Sequence, residues 1–558
     1  MHLSFFTQYL RPYRHSFALI FILMVLESAI SLAIPFFIGQ FASAVLQEAA
    51  PLSLFNIELN MHYGYLVGAW LGLIVLQTLA RYQVSFRVNM VGARILTNLS
   101  CRLYDHVQML PVSYFSKRKK GEILSLISND ANVIAYFMSG ILTGLVPSLL
   151  IASGALLLMA SINMPLALII AVSVPGFLII LKLMGRKIRP LSEQVTAQQA
   201  GIVSIAAENF STIKLVKSFS REKQESDKFK QNAQQMLNLR RQQFQIQALI
   251  SPLIQMLISV GIVLVVLVSA LHYRAGELSI AQLITLLMYG LLFAKPMSSL
   301  AGVYGQWQQA MGASTRIIDV FKVAPETDDT GTQEFVFKKG EVELKQVSFC
   351  YENNSNRAPL LSKLNAQFKA GSVNVIIGAN GSGKTTLLHL LMRFISPQSG
   401  QIFIDKQDIS ECGLRSLRRH IGLVSQDVAL SHGSILSNIA YGQSEADFQA
   451  VSTAAKQAGA HEFISALPNA YDTQVGDNGV LLSGGQRQRI SLARTLLLNC
   501  NIIIFDEPTS FADSHGKAEF AKLLSTQLQQ HTVIVVTHDQ ALCDVADKVF
   551  TLKNGELY

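Results

Sequence analysis

The sequence predicts a multi-domain membrane protein, in which an all-α bundle of six transmembrane helices with long cytoplasmic extensions precedes a soluble α/β domain. Composition is the first observation, because 50% of the 558 residues are hydrophobic and only 15% are charged, whereas soluble domains carry about 25% charged residues. The second observation is a series of six long apolar stretches in the first half. The third is a change near residue 336 to short β-rich runs that alternate with amphipathic helices, as in an α/β domain.

The apolar stretches are long enough, or nearly so, to cross a bilayer as helices. They comprise residues 17–38, 63–80, 133–162, 164–181, 244–273 and 278–294. The connections that follow the second and the fourth stretch are about fifty residues long and contain very little Gly or Pro. A structureless loop of that length is uncommon, so we expect the adjacent spans to continue as helices for about 35 Å outside the membrane.

The net charge of +9 lies in the first half of the chain. Residues 1–320 hold 25 Lys and Arg against 13 Asp and Glu, whereas residues 321–558 hold 21 against 24. A basic chain can indicate nucleic-acid binding, but most of these basic residues lie before the first span or in the two long connections, of which one begins at Arg81. This distribution predicts cytoplasmic termini and long connections, and no nucleic-acid partner.

Glu27 lies near the middle of the first span, where an ionised carboxylate is costly. Two interpretations remain open. The carboxylate could contact a cationic or polar substrate in an internal cavity, or it could be a carboxylate that is buried and satisfied by neighbouring Ser or Gln side chains or that lines water. Glu27 is therefore a candidate substrate-contacting residue.

A phosphate-binding loop follows an apolar strand at residues 373–377 and precedes an apolar helix at 386–394, the context that a P-loop requires. Its glycines allow backbone N–H groups to surround phosphates. Lys384 is predicted to reach the β- and γ-phosphates, and Thr385 to bind Mg²⁺. The predicted ATP-binding residues of this loop are Gly378, Ala379, Asn380, Gly381, Ser382, Gly383, Lys384, Thr385 and Thr386.

Two acidic residues and a histidine follow two further β-rich runs. Asp506 and Glu507 follow the first run, and these acids would by themselves also fit a helix cap. With the P-loop, Asp506 is predicted to hold Mg²⁺ and Glu507 to polarise an attacking water. His538 follows the run at residues 532–536 and is predicted to contact the γ-phosphate.

A second potential anion site opens the helix that runs to about residue 498. Ser483 is a favourable N-cap, and Gly484 and Gly485 expose backbone N–H groups before Gln486. This segment has no lysine or metal ligand of its own. It is therefore predicted to complete a nucleotide site on another subunit.

Together these motifs resemble an ATP-binding cassette (ABC) exporter of the half-transporter type, over essentially the whole chain. The segment from Leu482 to Gln486 matches the signature motif of that family, which is more specific than a P-loop alone. The resemblance implies a transmembrane domain at residues 1–323, a linker at 324–335 and a cassette at 336–558. It also implies that residues 110–130 and 208–222 are the segments that couple the two domains.

The resemblance adds further site residues. It implies that Gln426 senses Mg²⁺ and belongs to the catalytic group, that Tyr351 stacks on adenine, and that Asp513 contacts ATP across the dimer interface. The chain departs from the family pattern at Phe511 and Ala512, where the family usually has Ala-Leu. This difference concerns packing at the dimer interface and not nucleotide binding.

The resemblance implies that two chains sandwich two ATP molecules and that hydrolysis drives export, or flipping between leaflets, of a hydrophobic or amphipathic substrate. A homodimer is favoured because every motif of a competent site is present, although a heterodimer stays open. The expected location is the bacterial inner membrane. An exporter-fold channel or regulator is the alternative; an importer and a non-transport ABC protein are disfavoured. Lipid, drug and peptide substrates all remain open.

Overall fold

The computed structural model divides into two compact units. The first comprises Met1–Gln108 and Lys120–Val323, and the second comprises Met109–Lys119 and Ala324–Tyr558. The residues that the structure describes are 2–45, 53–54, 57–58, 63–118, 120–326, 333–351, 359–443, 445–476, 479–510 and 514–558. Much of the predicted linker, and Phe511, Ala512 and Asp513, therefore lie outside the described residues. The domain limits inferred from the sequence stay a prediction.

Long helices build the described part of the first unit, as predicted. Four of them contain 46, 39, 53 and 42 residues, namely α3, α9, α11 and α12 below. The helices of the transmembrane half, including α4 of the second unit, are α1 (His2–Leu10), α2 (Arg14–Val45), α3 (Tyr63–Gln108), α4 (Val112–Lys117), α5 (Lys120–Ser125), α6 (Ala131–Gly140), α7 (Val146–Ile162), α8 (Met164–Ala171), α9 (Ser173–Ser211), α10 (Ile213–Ser218), α11 (Glu222–Arg274) and α12 (Ile280–Phe321). Two short strands, β1 (Ser53–Leu54) and β2 (Ile57–Glu58), form an antiparallel pair.

The predicted spans coincide with helical segments, although the span at 278–294 begins two residues before α12 and the span at 133–162 includes a π-helical turn at Ile141–Leu145. Within the described ranges, four helical segments are long and apolar enough to cross a membrane, and they are Phe6–Ser43, Gly121–Ile162, Met164–Ser211 and Glu222–Arg274. A shorter apolar segment, Ile280–Ala294, begins α12. The remaining predicted span, residues 63–80, begins α3.

The register between α2 and α3 brings Arg81, the first residue after the second predicted span, to Glu27. The Gln77 amide donates to Ser31 Oγ at 2.7 Å, and Arg81 Nε donates to Glu27 Oε1 at 2.9 Å. Arg81 therefore lies beside the middle of the first predicted span. Helix α3 is continuous through this arginine, as expected for a span that continues as a helix, and Glu27 neutralises the arginine's charge.

A short helix joins the long helices α9 and α11 within the predicted second coupling segment. This helix, α10, has no buried residues. The apolar side chains of Phe210, Leu215 and Phe219 are 75%, 57% and 68% exposed. Exposed apolar side chains on the short connection between two long helices indicate a contact surface.

A buried carboxylate anchors the first predicted coupling segment within the first unit. Asp130 is only 2% exposed, and its two oxygens accept from Nε and Nη2 of Arg316, each at 2.7 Å. This two-point geometry is the strong form of an arginine–carboxylate pair. It joins the π-helical turn at Leu126–Asp130 to α12.

Two sheets and the helices around them form the second unit. Its remaining strands and helices are β3 (Val342–Phe349), β4 (Leu361–Phe368), β5 (Val373–Gly378), α13 (Lys384–Leu391), β6 (Ser399–Ile404), β7 (Gln407–Asp408), α14 (Leu414–Arg418), β8 (Ile421–Val424), α15 (Ile435–Ile439), α16 (Phe448–Gln457), α17 (His461–Ser465), α18 (Gly484–Leu497), β9 (Ile502–Asp506), α19 (Ser514–Thr526), β10 (Thr532–Val536), α20 (Gln540–Cys543), β11 (Lys548–Lys553) and β12 (Glu556–Leu557). The larger sheet has the order β12-β11-β5-β10-β9-β8, and the smaller has the order β4-β3-β6-β7.

Parallel pairing in the larger sheet brings four strand ends to one edge. Val536 of β10 pairs with Ile376 of β5 on one side and with Asp506 of β9 on the other. Val424 of β8 pairs with Phe505. The loops after β5, β8, β9 and β10 therefore leave the sheet together, at the edge where open α/β sheets bind ligands.

Candidate ATP-binding and hydrolysis site

The loop between β5 and α13 is shaped by its glycines. Gly381 and Gly383 have φ angles of +79° and +103°, which non-glycine residues rarely adopt. A Cβ atom on Gly383 would lie 2.7 Å from Leu361 Cδ2. Glycine is thus required at residue 383 by both conformation and space, as the P-loop prediction supposes.

Lys384 lies at the first turn of α13 and folds back over this loop. Its side chain is buried, and Nζ donates to the carbonyl oxygens of Gly378 and Ala379 at 2.8 and 3.1 Å. The buried hydroxyl of Ser382 has no hydrogen-bond partner among the described residues. The loop therefore offers a cation and an unused hydroxyl to an incoming phosphate group.

Thr385 and Asp506 bring two oxygen atoms together beside the loop. Thr385 Oγ1 lies 3.5 Å from Asp506 Oδ1, and Asp506 is 8% exposed. Burial, with a smaller contribution from the charge of Glu507, raises the pKa of Asp506 despite opposing effects of Thr385, His389 and Lys384. Hard oxygen ligands in a site that lacks sufficient positive charge suit Mg²⁺, so these residues fit the predicted metal.

Glu507 and His538 meet across the loops after β9 and β10. His538 Nδ1 lies 2.6 Å from Glu507 Oε2, and the Glu507 side chain is 12% exposed. Glu507 has a φ of +52°, and its N–H donates to the Val536 carbonyl at 2.8 Å. A left-handed backbone conformation is strained for a residue other than glycine, and such strained residues are found at functional sites.

Tyr351 and Gln426 occupy the expected loops. Tyr351 follows β3, is 46% exposed, and its hydroxyl lies 3.2 Å from Thr386 Oγ1. Its ring packs edge-on against Phe349, so one face is held near the P-loop helix. Gln426 is exposed in the loop after β8, at the same edge of the sheet.

The signature segment forms the N-terminus of α18. Ser483 Oγ accepts from the N–H of Gln486 at 3.2 Å, and Gln486 Oε1 accepts from the N–H of Ser483 at 3.0 Å. This reciprocal pair is a capping box. A Cβ atom on Gly485 would meet nothing within 4 Å, so the first turn is open to a ligand. The role of Ser483, Gly484, Gly485 and Gln486 across a dimer interface stays a prediction.

Two polar residues near the site received no role from the sequence. Arg494 of α18 donates from Nε to the Asn438 carbonyl at 2.8 Å, which ties the signature helix to α15. Asp539 accepts from Lys517 and Thr509 and directly follows His538. Its position after the histidine and before a helix was the only available signal, and that signal indicates a helix cap.

Comparison with known proteins agrees with this arrangement. The family model of the ABC transporter transmembrane region matches residues 17–297, and that of the ABC transporter matches residues 361–510. A solved structure, described as a bacterial Atm1-family ABC exporter with ATP bound, superposes with a TM-score of 0.86 at 23% identity, covering 98% of this chain and 94% of that one. At that identity the likeness establishes the fold.

Curated relatives match over most of the chain. A protein named ATP-dependent lipid A-core flippase from Thiobacillus denitrificans is 30% identical over 87% of this chain and 84% of its own length. The protein of the same name from Syntrophus aciditrophicus is 29% identical over 98% and 89%. Fused membrane and nucleotide-binding halves, each matched by its own family model, identify this chain as a member of the ABC transporter family, of the exporter type that couples ATP hydrolysis to transport.

Proposed function

We propose that this protein is a homodimeric lipid translocator that uses ATP to move an amphipathic lipid from the inner to the outer leaflet of a bacterial inner membrane. ATP-driven chemistry is supported by two contacts beside the P-loop. One joins Thr385 to Asp506, and the other joins Glu507 to His538. The lipid substrate is supported by the relatives named lipid A-core flippases, which match nearly the full chain.

Each group of residues in the site has a separate role in ATP binding or hydrolysis. The P-loop N–H groups and Lys384 bind the phosphates, and Tyr351 supports the adenine ring. Thr385, Asp506 and Gln426 would hold Mg²⁺, which supplies positive charge to the phosphates. Glu507 orients the attacking water and accepts its proton, while His538, held at 2.6 Å from Glu507, contacts the γ-phosphate side of the site.

A second copy of the chain completes each site in this proposal. The open first turn of α18 supplies N–H groups and a helix N-terminus, which bind phosphate oxygens. Every motif needed for a competent site is present in one chain, which favours two identical partners. ATP then stabilises the closed dimer by binding it more tightly than the open one.

The purified protein in lipid vesicles tests the transport proposal. We expect ATP to accelerate the movement of a labelled phosphate-bearing lipid between leaflets, with vesicles containing the Glu507→Gln protein as the inactive control. Ion conductance without lipid movement would contradict the proposal and favour the channel or regulator alternative. ATP-dependent movement of a peptide or a drug, but not of lipid, would overturn the lipid assignment alone.

In this proposal Glu27 acts by binding and orienting the side chain of Arg81. Glu27 is 7% exposed and holds Arg81 Nε at 2.9 Å, whereas the Arg81 side chain is 63% exposed. The carboxylate already has a cationic partner. A cationic substrate would therefore meet the positive charge of Arg81, which disfavours direct binding of such a substrate by Glu27. Glu27 instead orients a guanidinium group toward an anionic lipid headgroup.

The Glu27→Gln variant separates the two interpretations of this residue. Basal ATP hydrolysis should persist, but its stimulation by a phosphate-bearing lipid should fall about fivefold, because the neutral amide holds Arg81 less firmly. Stimulation by a cationic drug should be unchanged. Glu277→Gln, which alters an exposed acid paired with His272, is the control. Selective loss of the response to the cationic drug would instead show that Glu27 contacts a cationic substrate.

A further inference from the structure

Two side-chain contacts between described residues join the loops after β9 and β10. The first is the Glu507–His538 contact at 2.6 Å. The second lies beside it, where Thr509 Oγ1 donates to Asp539 Oδ2 at 3.2 Å. Thr509 follows Glu507 by two residues and Asp539 follows His538 by one, so the second contact spans the same two loops.

Asp539 is anchored from several directions. Lys517 Nζ of α19 lies 3.0 Å from the same Oδ2 atom, and the other oxygen accepts from the Ala541 N–H at 3.2 Å at the start of α20. The N–H of Asp539 donates at 3.0 Å to the hydroxyl of the fully buried Thr537. The backbone on both sides of His538 is thereby held.

The charge of Asp539 is also compensated. Burial would raise the pKa of this carboxyl, but hydrogen bonds from Lys517, the Ala541 N–H and Thr509, together with the Lys517 charge, lower it. Asp539 is therefore ionised at neutral pH, and Lys517 neutralises it. An uncompensated negative charge on the loop that carries His538 would otherwise disturb the charge of the hydrolysis site.

We propose that Asp539 is a positioning residue for ATP hydrolysis, which holds the His538 imidazole against Glu507 by tying its loop to Thr509 and Lys517. The proposal rests on the proposed roles of Glu507 and His538. It follows from an asymmetry in burial, since the His538 side chain is 64% exposed whereas that of Asp539 is 11% exposed. Little packing holds the imidazole itself, so the backbone that Asp539 anchors must orient it.

Substitution of Asp539 in the full-length protein tests the role. Asp539→Ala should lower kcat for ATP hydrolysis about tenfold, while KM for ATP stays within about twofold because the P-loop is unaltered. Asp539→Asn keeps an oxygen that can accept from Thr509 and should recover about half of the lost activity. A loss confined to KM, or equal loss in both variants, would overturn the proposal.

A matched control removes another aspartate of the same local type. Asp447 caps α16 by accepting from the Ala450 N–H at 2.7 Å, and it is exposed in a different part of the second unit. Asp447→Ala should leave kcat unchanged. If it lowers kcat as much as Asp539→Ala does, the effect is a general consequence of losing a helix cap, and the positioning role is wrong.

The double variant distinguishes this proposal from the one on which it rests. If Asp539 acts through His538, Asp539→Ala should cost less than about twofold in a His538→Ala background. A full tenfold loss in that background would show that Asp539 acts independently and would overturn the inference. Hydrolysis at the wild-type rate by the single variant His538→Ala would instead contradict the proposed role of His538. This result is distinguishable from failure of the positioning role of Asp539.

Discussion

Replacing Glu507 with glutamine is expected to lower the rate of ATP hydrolysis by about 10²- to 10⁴-fold, the contribution of a positioned general base. The amide keeps the shape of the side chain but cannot accept the proton of the attacking water. Binding should persist, because Lys384, Thr385 and Tyr351 are unchanged. Steady-state phosphate release measures the rate, and equilibrium binding of a labelled ATP analogue measures affinity.

A second consequence of this substitution concerns assembly. If hydrolysis resets a closed dimer, Glu507→Gln should accumulate that closed dimer in the presence of ATP. Distance measurements between labels on the two cassettes of the full-length protein would detect it. Glu519→Gln is a suitable control, because Glu519 is an exposed acid that pairs with Arg489 away from the strand ends. Hydrolysis at the wild-type rate by Glu507→Gln would refute the catalytic role.

Replacing Lys384 with alanine is expected to remove most of the affinity for ATP. A charge-assisted hydrogen bond contributes about 1.5–3 kcal/mol, and Lys384 can make such bonds to two phosphates, so the dissociation constant should rise about 10²-fold or more. The lysine also holds the carbonyl oxygens of Gly378 and Ala379. Its removal should therefore loosen the empty loop as well.

Titration calorimetry with ATP measures this loss of affinity. Lys369→Ala is the matched control, because Lys369 is an exposed lysine before β5 and outside the P-loop. A thermal melt of each protein without nucleotide separates weaker binding from a damaged fold. Near wild-type affinity in a folded Lys384→Ala protein would contradict the assignment of this loop as the phosphate site.

The phosphate site could be read from the sequence because its chemistry is local. Glycines at 381 and 383, a lysine at 384 and a threonine at 385 occur in one short segment between a strand and a helix, and the backbone geometry follows from residue type. Asp506, Glu507 and His538 required only the rule that parallel strands end at one edge of a sheet. The structure confirms that the two strands are neighbours.

Other features depended on how distant segments pack. The sequence interpretation placed Arg81 at the start of a cytoplasmic connection, since a charge after an apolar run normally ends a span. Only the register of α2 against α3 brings it to Glu27, 54 residues away. Neither open interpretation of Glu27, a substrate contact or a carboxylate satisfied by Ser or Gln side chains, included this arginine as its partner.

The sequence by itself determined the order of the two halves, the apolar stretches and the residues proposed to bind phosphate, because periodicity, hydropathy and short motifs act over a few consecutive residues. Tertiary structure alone decided which charges pair, as in the contact of Asp539 with Thr509 across 30 residues and that of Asp130 with Arg316 across 186. Such pairs form when packing fixes helix and strand register, and register depends on the whole fold and not on local composition.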